Sequence, residues 1–255
     1  MNRRDFVRAM AAGATTAACS RAAPRRPGRA IGARAVAFDL FTIFDPRAID
    51  AAVIAEVSDD GAELARLWKL RTFEYCWLRA AADRYVPFDR VLDDALTHSL
   101  AVRGRVLEPS ARARLLSAWT ELPAWSDAEE SLVQLRQAGL VLAPLANFAP
   151  AMIEALLTRA RLRAHFTHII STDLARSYKP ASRAYQLGVE TFQQTAEAIV
   201  FAAFGGWDAV GATWFGYPTF WVNRLAATPE QLTVSPAGKG TTLRDLVAWT
   251  LARAG

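Results

Sequence analysis

Asp39 is the residue of this chain best placed for covalent chemistry. It follows the apolar run Ala35-Val36-Ala37-Phe38 and has Leu40, Phe41 and Ile43 around it. A carboxylate in so apolar a setting can attack an electrophilic carbon and divide one hard displacement into two easier steps. The same aspartate could instead cap the turn that follows it. Other chemistries find less support. His165 and His168 are three residues apart, a spacing that fits no common zinc pattern, and His98 has no obvious partner. Neither a Gly-rich phosphate loop nor a Ser–His–Asp arrangement can be assembled. No metal and no cofactor is expected.

Several elements must position such a carboxylate. The run before Asp39 is short, apolar and β-branched at Val36, which suits a strand buried on both faces of a parallel sheet. Ligands of open α/β sheets bind just beyond the carboxyl ends of strands. Residues 140–147 form the next expected strand, although Pro144 cannot donate to a ladder. A helix should open at Pro150, and the loop from Asn147 could offer backbone N–H groups to an anion. Residues 169–173 and 198–203 give two further short strands. Between Asp45 and about Trp125 the apolar period becomes helical, through Leu64, Leu67, Trp68, Tyr75, Leu78, Val91, Leu92, Ala95 and Leu100. Ser110 is a suitable N-cap for a helix running to Trp119. The expected fold is α/β: a doubly wound parallel sheet formed by residues 34–45 and 126–255, with a helical cap inserted at 46–125. A cap closing over Asp39 would exclude water and strengthen electrostatics inside.

The first thirty residues differ from the rest. Arg3-Arg4 followed by Phe6-Val7 and an alanine-rich run reads as a twin-arginine export signal. Thr16-Ala17-Ala18-Cys19 loosely fits a lipoprotein processing site, which would make Cys19 a lipid anchor. Residues 21–29, with Pro24 and Pro27, read as a tether. The chain carries a net charge of +5 and its first thirty residues +6, so residues 31–255 carry −1. The basic balance belongs to the leader and gives no ground for a nucleic-acid partner. No apolar run is long enough for a transmembrane helix. Loss or lipidation of Cys19 leaves Cys76 as the one free cysteine, so no internal disulfide is expected.

Five segments carry a family resemblance: FDLFTIFD at 38–45, LWKLRTFEYCWLR at 67–79, YKPASRAY at 178–185, WDAVGA at 207–212 and FGYPTFWVNR at 215–224. Together they resemble the haloacid dehalogenase superfamily, and within it the (S)-2-haloacid dehalogenases, which work without metal. The phosphatases of that superfamily place a second aspartate two positions after the first, where this chain has Phe41. The resemblance implies hydrolytic dehalogenation of short 2-haloacids through an ester on Asp39. Lys179 would keep Asp39 ionised, and Asp208 would help activate the hydrolytic water or support the lysine. Lys69, Asn147, Tyr185 and Trp207 would bind substrate and halide. A homodimer is compatible with the resemblance, and the sequence does not set the oligomeric state.

The chain departs from the family pattern around this centre. Lys69 stands where the family has arginine, which keeps the charge and loses the planar fork. Ile43, Ala146, Ala203 and Gly205 stand where the family has polar residues. Each hydrogen bond lost to a charged group costs about 1.5–3 kcal/mol. A related hydrolase with a less polar substrate, or an exported binding protein without catalysis, therefore stays open beside the dehalogenase reading.

Overall fold

The computed structural model describes residues 32–57 and 59–254. The leader, with its twin arginine and Cys19, lies outside the described residues. Ala35–Phe38 forms strand β1, and all four residues are buried. A four-residue turn of helix, α1 (Leu40–Ile43), follows directly. Next come α2 (Arg47–Glu56), α3 (Gly61–Ala82), α4 (Phe88–Val102), α5 (Pro109–Ser117) and α6 (Ala128–Gln137). The second half reads β2 (Val141–Ala146), α7 (Pro150–Arg159), β3 (Ile170–Ser171), α8 (Ser182–Phe192), β4 (Ile199–Ala203), α9 (Gly206–Phe215), β5 (Thr219–Val222), β6 (Gly238–Gly240) and α10 (Leu243–Ala254).

The strands form one sheet in the order β3-β2-β1-β4-β5-β6, and every pairing is parallel. β1 lies between β2 and β4. Strand residues alternate between two cores, as a period of two requires. Val36, Phe38, Leu142, Val200 and Ala202 face one core, and Ala35, Ala37, Ala143, Ile199 and Phe201 face the other. Helices cover both faces: Leu132 and Leu135 of α6 and Leu243 and Leu246 of α10 on the first, Tyr185 of α8 and Ala209 of α9 on the second. This is the doubly wound α/β architecture.

Helices α2 to α5 leave the sheet and return to it at one point. Phe44 and Ala124 form an antiparallel bridge there. Asp45 N–H donates to Pro123 C=O and Trp125 N–H to Ile43 C=O, each at 2.9 Å. The inserted helices share an apolar core with the sheet. Phe88 of α4 stacks on Phe148, with ring centroids 4.7 Å apart. Trp68 is fully buried, and its Nε1 donates to Leu92 C=O at 2.9 Å, so it packs α3 against α4.

Two local expectations need adjustment. α5 begins at Pro109, with Glu108 in the N-cap position and Ser110 inside the first turn. Proline is favoured at the first helical position because its missing N–H would have no partner there anyway. The helix ends at Ser117 and continues as a 3-10 turn, Ala118–Thr120. Pro144 also finds an explanation. Val141 N–H donates to Arg34 C=O beside β1, so alternation turns position 144 toward β3. β3 pairs only with Leu145 and Ala146, and the missing donor falls where the ladder has ended.

Candidate active site

Asp39 terminates β1 and serves two purposes at once. Its Oδ2 accepts from Phe41 N–H at 3.1 Å, which caps α1. Its Oδ1 accepts from Lys179 Nζ at 2.8 Å. The capping role and the charged role thus fall on different oxygens. Thr42 ties the backbone of the same residue, with Oγ1 donating to Asp39 C=O at 2.6 Å.

Lys179 lies between two carboxylates. Its Nζ reaches Asp208 Oδ2 at 2.7 Å as well as Asp39, and Lys179 and Asp208 are both 1% exposed. Asp208 sits in the first turn of α9, next to the end of β4. Its other oxygen, Oδ1, accepts from Tyr185 Oη at 2.7 Å. Tyr217 Oη donates to Tyr185 C=O at 2.5 Å and holds that segment in place. A Cβ on Gly211 would come within 2.6 Å of Tyr185 Oη and 2.7 Å of Pro180 Cβ, so only glycine lets α9 approach this closely.

The titration of this cluster follows from one ammonium serving two anions. Burial pulls Lys179 toward neutrality, but Asp208 and Asp39 outweigh it, and its pKa ends above the usual lysine value. Burial raises Asp208 most, Lys179 opposes that, and the charge of Asp39 adds to the rise, leaving it pushed up to about 6. Both partners move upward. The two shifts agree once the lysine is seen as shared, because the second carboxylate has only part of a counter-ion. Burial, and after it Asp208, hold Tyr185 well above the usual phenol value, so it stays a proton donor.

Above this floor lies a cleft of about 170 Å³. Phe41, Phe73, Phe204, Trp207 and Leu225 form its apolar wall, and Asp39 and Lys69 are its charged residues. Phe41 makes aromatic contacts with Phe204 at 5.7 Å and Phe148 at 5.8 Å, so its position holds a packed ring and no acid. Trp207 of α9 meets Phe73 and Trp77 of α3, with centroids 5.6 and 5.5 Å apart. A Cβ on Gly205 would come within 2.8 Å of Trp207 Nε1, so the indole uses space that a side chain at 205 would need. A smaller chamber of about 10 Å³, room for one water, adjoins Asp39, Asn147, Ala146 and Trp207.

Asn147 is 4% exposed and caps the sheet edge of that chamber. Its Oδ1 accepts from Lys179 N–H at 2.9 Å and from Thr172 Oγ1 at 3.4 Å, whereas its Nδ2 has no partner among the described residues. A buried donor without a partner is costly and marks a place where a ligand acceptor would gain. Lys69 also reaches the cleft wall, but its Nζ is held by both oxygens of Asp50, at 2.6 and 2.7 Å.

The structure therefore brings Asp39, Asn147, Lys179 and Asp208 to one set of strand ends and places Lys69 and Trp207 on the cleft. Tyr185 differs from expectation in its position. It is fully buried behind Asp208 and supports that carboxylate instead of lining the cleft. Ile43, at the position where the family has threonine, points into the core, fully buried. Sequence reasoning missed Phe73, Thr172 and Asp50. Phe73 follows Lys69 by four residues on one helix, and that spacing alone could have found it. Asp50 and Thr172 meet their partners only through the tertiary fold.

Comparison with known proteins places the chain among the haloacid dehalogenases. A family model described as haloacid dehalogenase-like hydrolase matches residues 21–216. The (S)-2-haloacid dehalogenase of Pseudomonas sp. (strain YL) is 35% identical over 215 residues, covering 84% of this chain and 93% of its own length. Haloacetate dehalogenase H-2 of Moraxella sp. (strain B) is 32% identical, covering 79% and 91%. Among solved structures, an L-2-haloacid dehalogenase superposes with a TM-score of 0.84 and 38% identity, over 86% of this chain and 99% of the other. The L-2-haloacid dehalogenase of Xanthobacter autotrophicus, solved with chloropropionic acid covalently bound, gives 0.79 and 29%, over 85% and 97%.

Proposed function

The chain belongs to the haloacid dehalogenase-like hydrolases, and we propose that it removes halide from short 2-haloacids through an ester on Asp39. The observation that carries this reading is the Asp39 carboxylate at the base of an apolar cleft with the Lys179 ammonium 2.8 Å away. An apolar cavity of about 150 Å³ holds benzene, which has six heavy atoms. A 2-chloropropanoate ion has the same number, so the cleft of about 170 Å³ suits an acid of that size.

In the first step an Asp39 oxygen forms a bond to C2 of the acid, and the halogen leaves with the bonding pair as halide. Lys69 and the free Asn147 Nδ2–H groups stabilise that developing negative charge. In the second step water adds to the Asp39 ester carbonyl, and the bond from that carbon to the ester oxygen breaks. The 2-hydroxy acid leaves, and one oxygen from water stays in the Asp39 carboxylate. Lys179 orients the carboxylate throughout. With one oxygen on the lysine and one on Tyr185, Asp208 supports the lysine first of all, and in this reading it also takes up the water's proton. The helices α2 to α5 act as a cap that keeps bulk water from the ester.

The deciding experiment is a single turnover of 2-chloropropanoate in heavy-oxygen water, followed by mass analysis of the Asp39 peptide. Label in Asp39 supports the two-step route. No label and no halide release from a panel of short 2-haloacids would overturn it, and an exported binding protein would become the better reading.

The leader supports a second proposal, export by the twin-arginine route. Arg3-Arg4 before an apolar run and the concentration of positive charge in residues 1–30 carry it. Replacing both arginines by lysine is expected to leave unprocessed protein in the cytoplasm, and unchanged periplasmic delivery would refute it. Fatty-acid labelling would distinguish lipidation at Cys19 from ordinary cleavage.

A further inference from the structure

Among the described residues Lys69 is the one cation on the cleft wall, and it is already engaged. Its Nζ lies 2.6 and 2.7 Å from the two oxygens of Asp50 on α2, a residue that does not line the cleft itself. Beneath it Lys179 is shared by Asp39 and Asp208. Counted with Asp50 behind Lys69, the described residues of the cleft and its floor set two ammonium groups against three carboxylates, and neither cation is left without a counter-ion. An anionic substrate approaches against that balance, whereas a neutral one does not.

We propose that Asp50 is a positioning residue that sets the charge selectivity of the cleft: by holding the Lys69 ammonium it weakens the site for anions. The proposal rests on the reading that Lys69 faces the substrate and leaving halide. Its strength is limited by solvent, because the Lys69 and Asp50 side chains are 30% and 32% exposed. Partly exposed pairs change equilibria by about two- to fivefold. A pair of this kind tunes affinity without touching the reacting atoms, and it separates acids from their neutral amides.

The test uses bromide alone, 2-chloropropanoate and the uncharged 2-chloropropanamide, with the Asp50→Asn variant of the full chain. Bromide dissociation is measured by quenching of tryptophan fluorescence, with Trp207 beside the site. The expected result is bromide binding about two- to fivefold tighter, a KM for 2-chloropropanoate lowered by the same factor, and no change in KM for the amide. In a Lys69→Met background Asp50→Asn is expected to change bromide binding no further. Bromide bound equally or more weakly by Asp50→Asn would overturn the proposal, since Asp50 would then serve to aim the lysine. An equal gain in the Lys69→Met background would overturn it too, because the effect would not pass through Lys69. The bromide titration needs no turnover. A protein that dehalogenates nothing would sink the proposed reaction, and bromide would still decide the role of Asp50.

Discussion

The floor of the site and its walls differ in how their polar atoms are held. On the floor, Asp39, Lys179, Asp208 and Tyr185 form one chain of charge-assisted contacts between 2.7 and 2.8 Å. Each carboxylate oxygen has a donor. On the walls, rings dominate and Lys69 turns to Asp50, and in the adjoining small chamber Asn147 Nδ2 has no partner among the described residues. A preorganised floor fixes the reaction, because buried charges tolerate only one geometry. The walls fix what enters, and apolar packing tolerates many substitutions. Of the departures from the family pattern, Lys69 and Gly205 lie on the walls and Ala146 on the small chamber, whereas Ile43 and Ala203 are buried in the two cores.

The largest effect expected from breaking the floor is loss of the nucleophile. Asp39→Asn should lower dehalogenation by at least about 10⁴-fold, because an amide neither attacks carbon nor regenerates by hydrolysis of an ester. Residual halide release within about tenfold of wild type would mean that another group attacks. Lys179→Met is next. It leaves the buried Asp208 and the partly exposed Asp39 facing each other without a cation, and breaking a buried pair such as Lys179–Asp208 costs about 3–5 kcal/mol. A thermal midpoint lower by roughly 10 °C is expected. An unchanged midpoint would show that the floor is not the rigid unit described above.

The walls should respond in the opposite sense. Ala146→Ser with Lys69→Arg restores a hydroxyl beside the small chamber and a planar fork on the cleft. One regained charge-assisted hydrogen bond corresponds to about a tenfold gain. Halide release from 2-chloropropanoate should therefore rise about tenfold in the double variant. No gain, or a loss, would mean that the walls are adapted to another substrate and not merely thinned.

How much of this was legible in the sequence follows the same division. The apolar run before Asp39 announced a buried strand, and the helical period announced the insertion, because both depend on local spacing. Asn147, Lys179 and Asp208 lie far apart in the chain, and only a family resemblance joined them before the fold was known. Pro144 looked wrong in a strand because the reach of β3 cannot be read from residues 170–171 alone. Asp50 stayed hidden for a related reason: it meets Lys69 across two helices, 19 positions away, with no spacing rule to link them. Tyr185 was visible as a residue but not as a support for Asp208, since its direction depends on the approach allowed by Gly211.

The smallest effect tests how finely the floor is tuned. Burial and the charge of Asp39 raise the Asp208 pKa, while Lys179 and the Tyr185 hydroxyl lower it, and the balance is about 6. A raised carboxylate pKa means that the proton is taken up at a higher pH than usual. kcat/KM should accordingly fall as pH drops through about 6. Tyr185→Phe removes one lowering contact, so that limb should move to higher pH. Asp208→Asn should abolish the limb along with most of the activity. The reaction itself supplies an internal control. Once Asp39 is esterified its negative charge is gone, and with it one cause of the rise in Asp208. The acid limb of kcat, which reports the ester-bound enzyme when its hydrolysis is slowest, should then lie below the limb of kcat/KM. Coincident limbs, unmoved by Tyr185→Phe, would show that Asp208 does not titrate in the working range. The coupling of floor residues through one shared lysine would then be disproved.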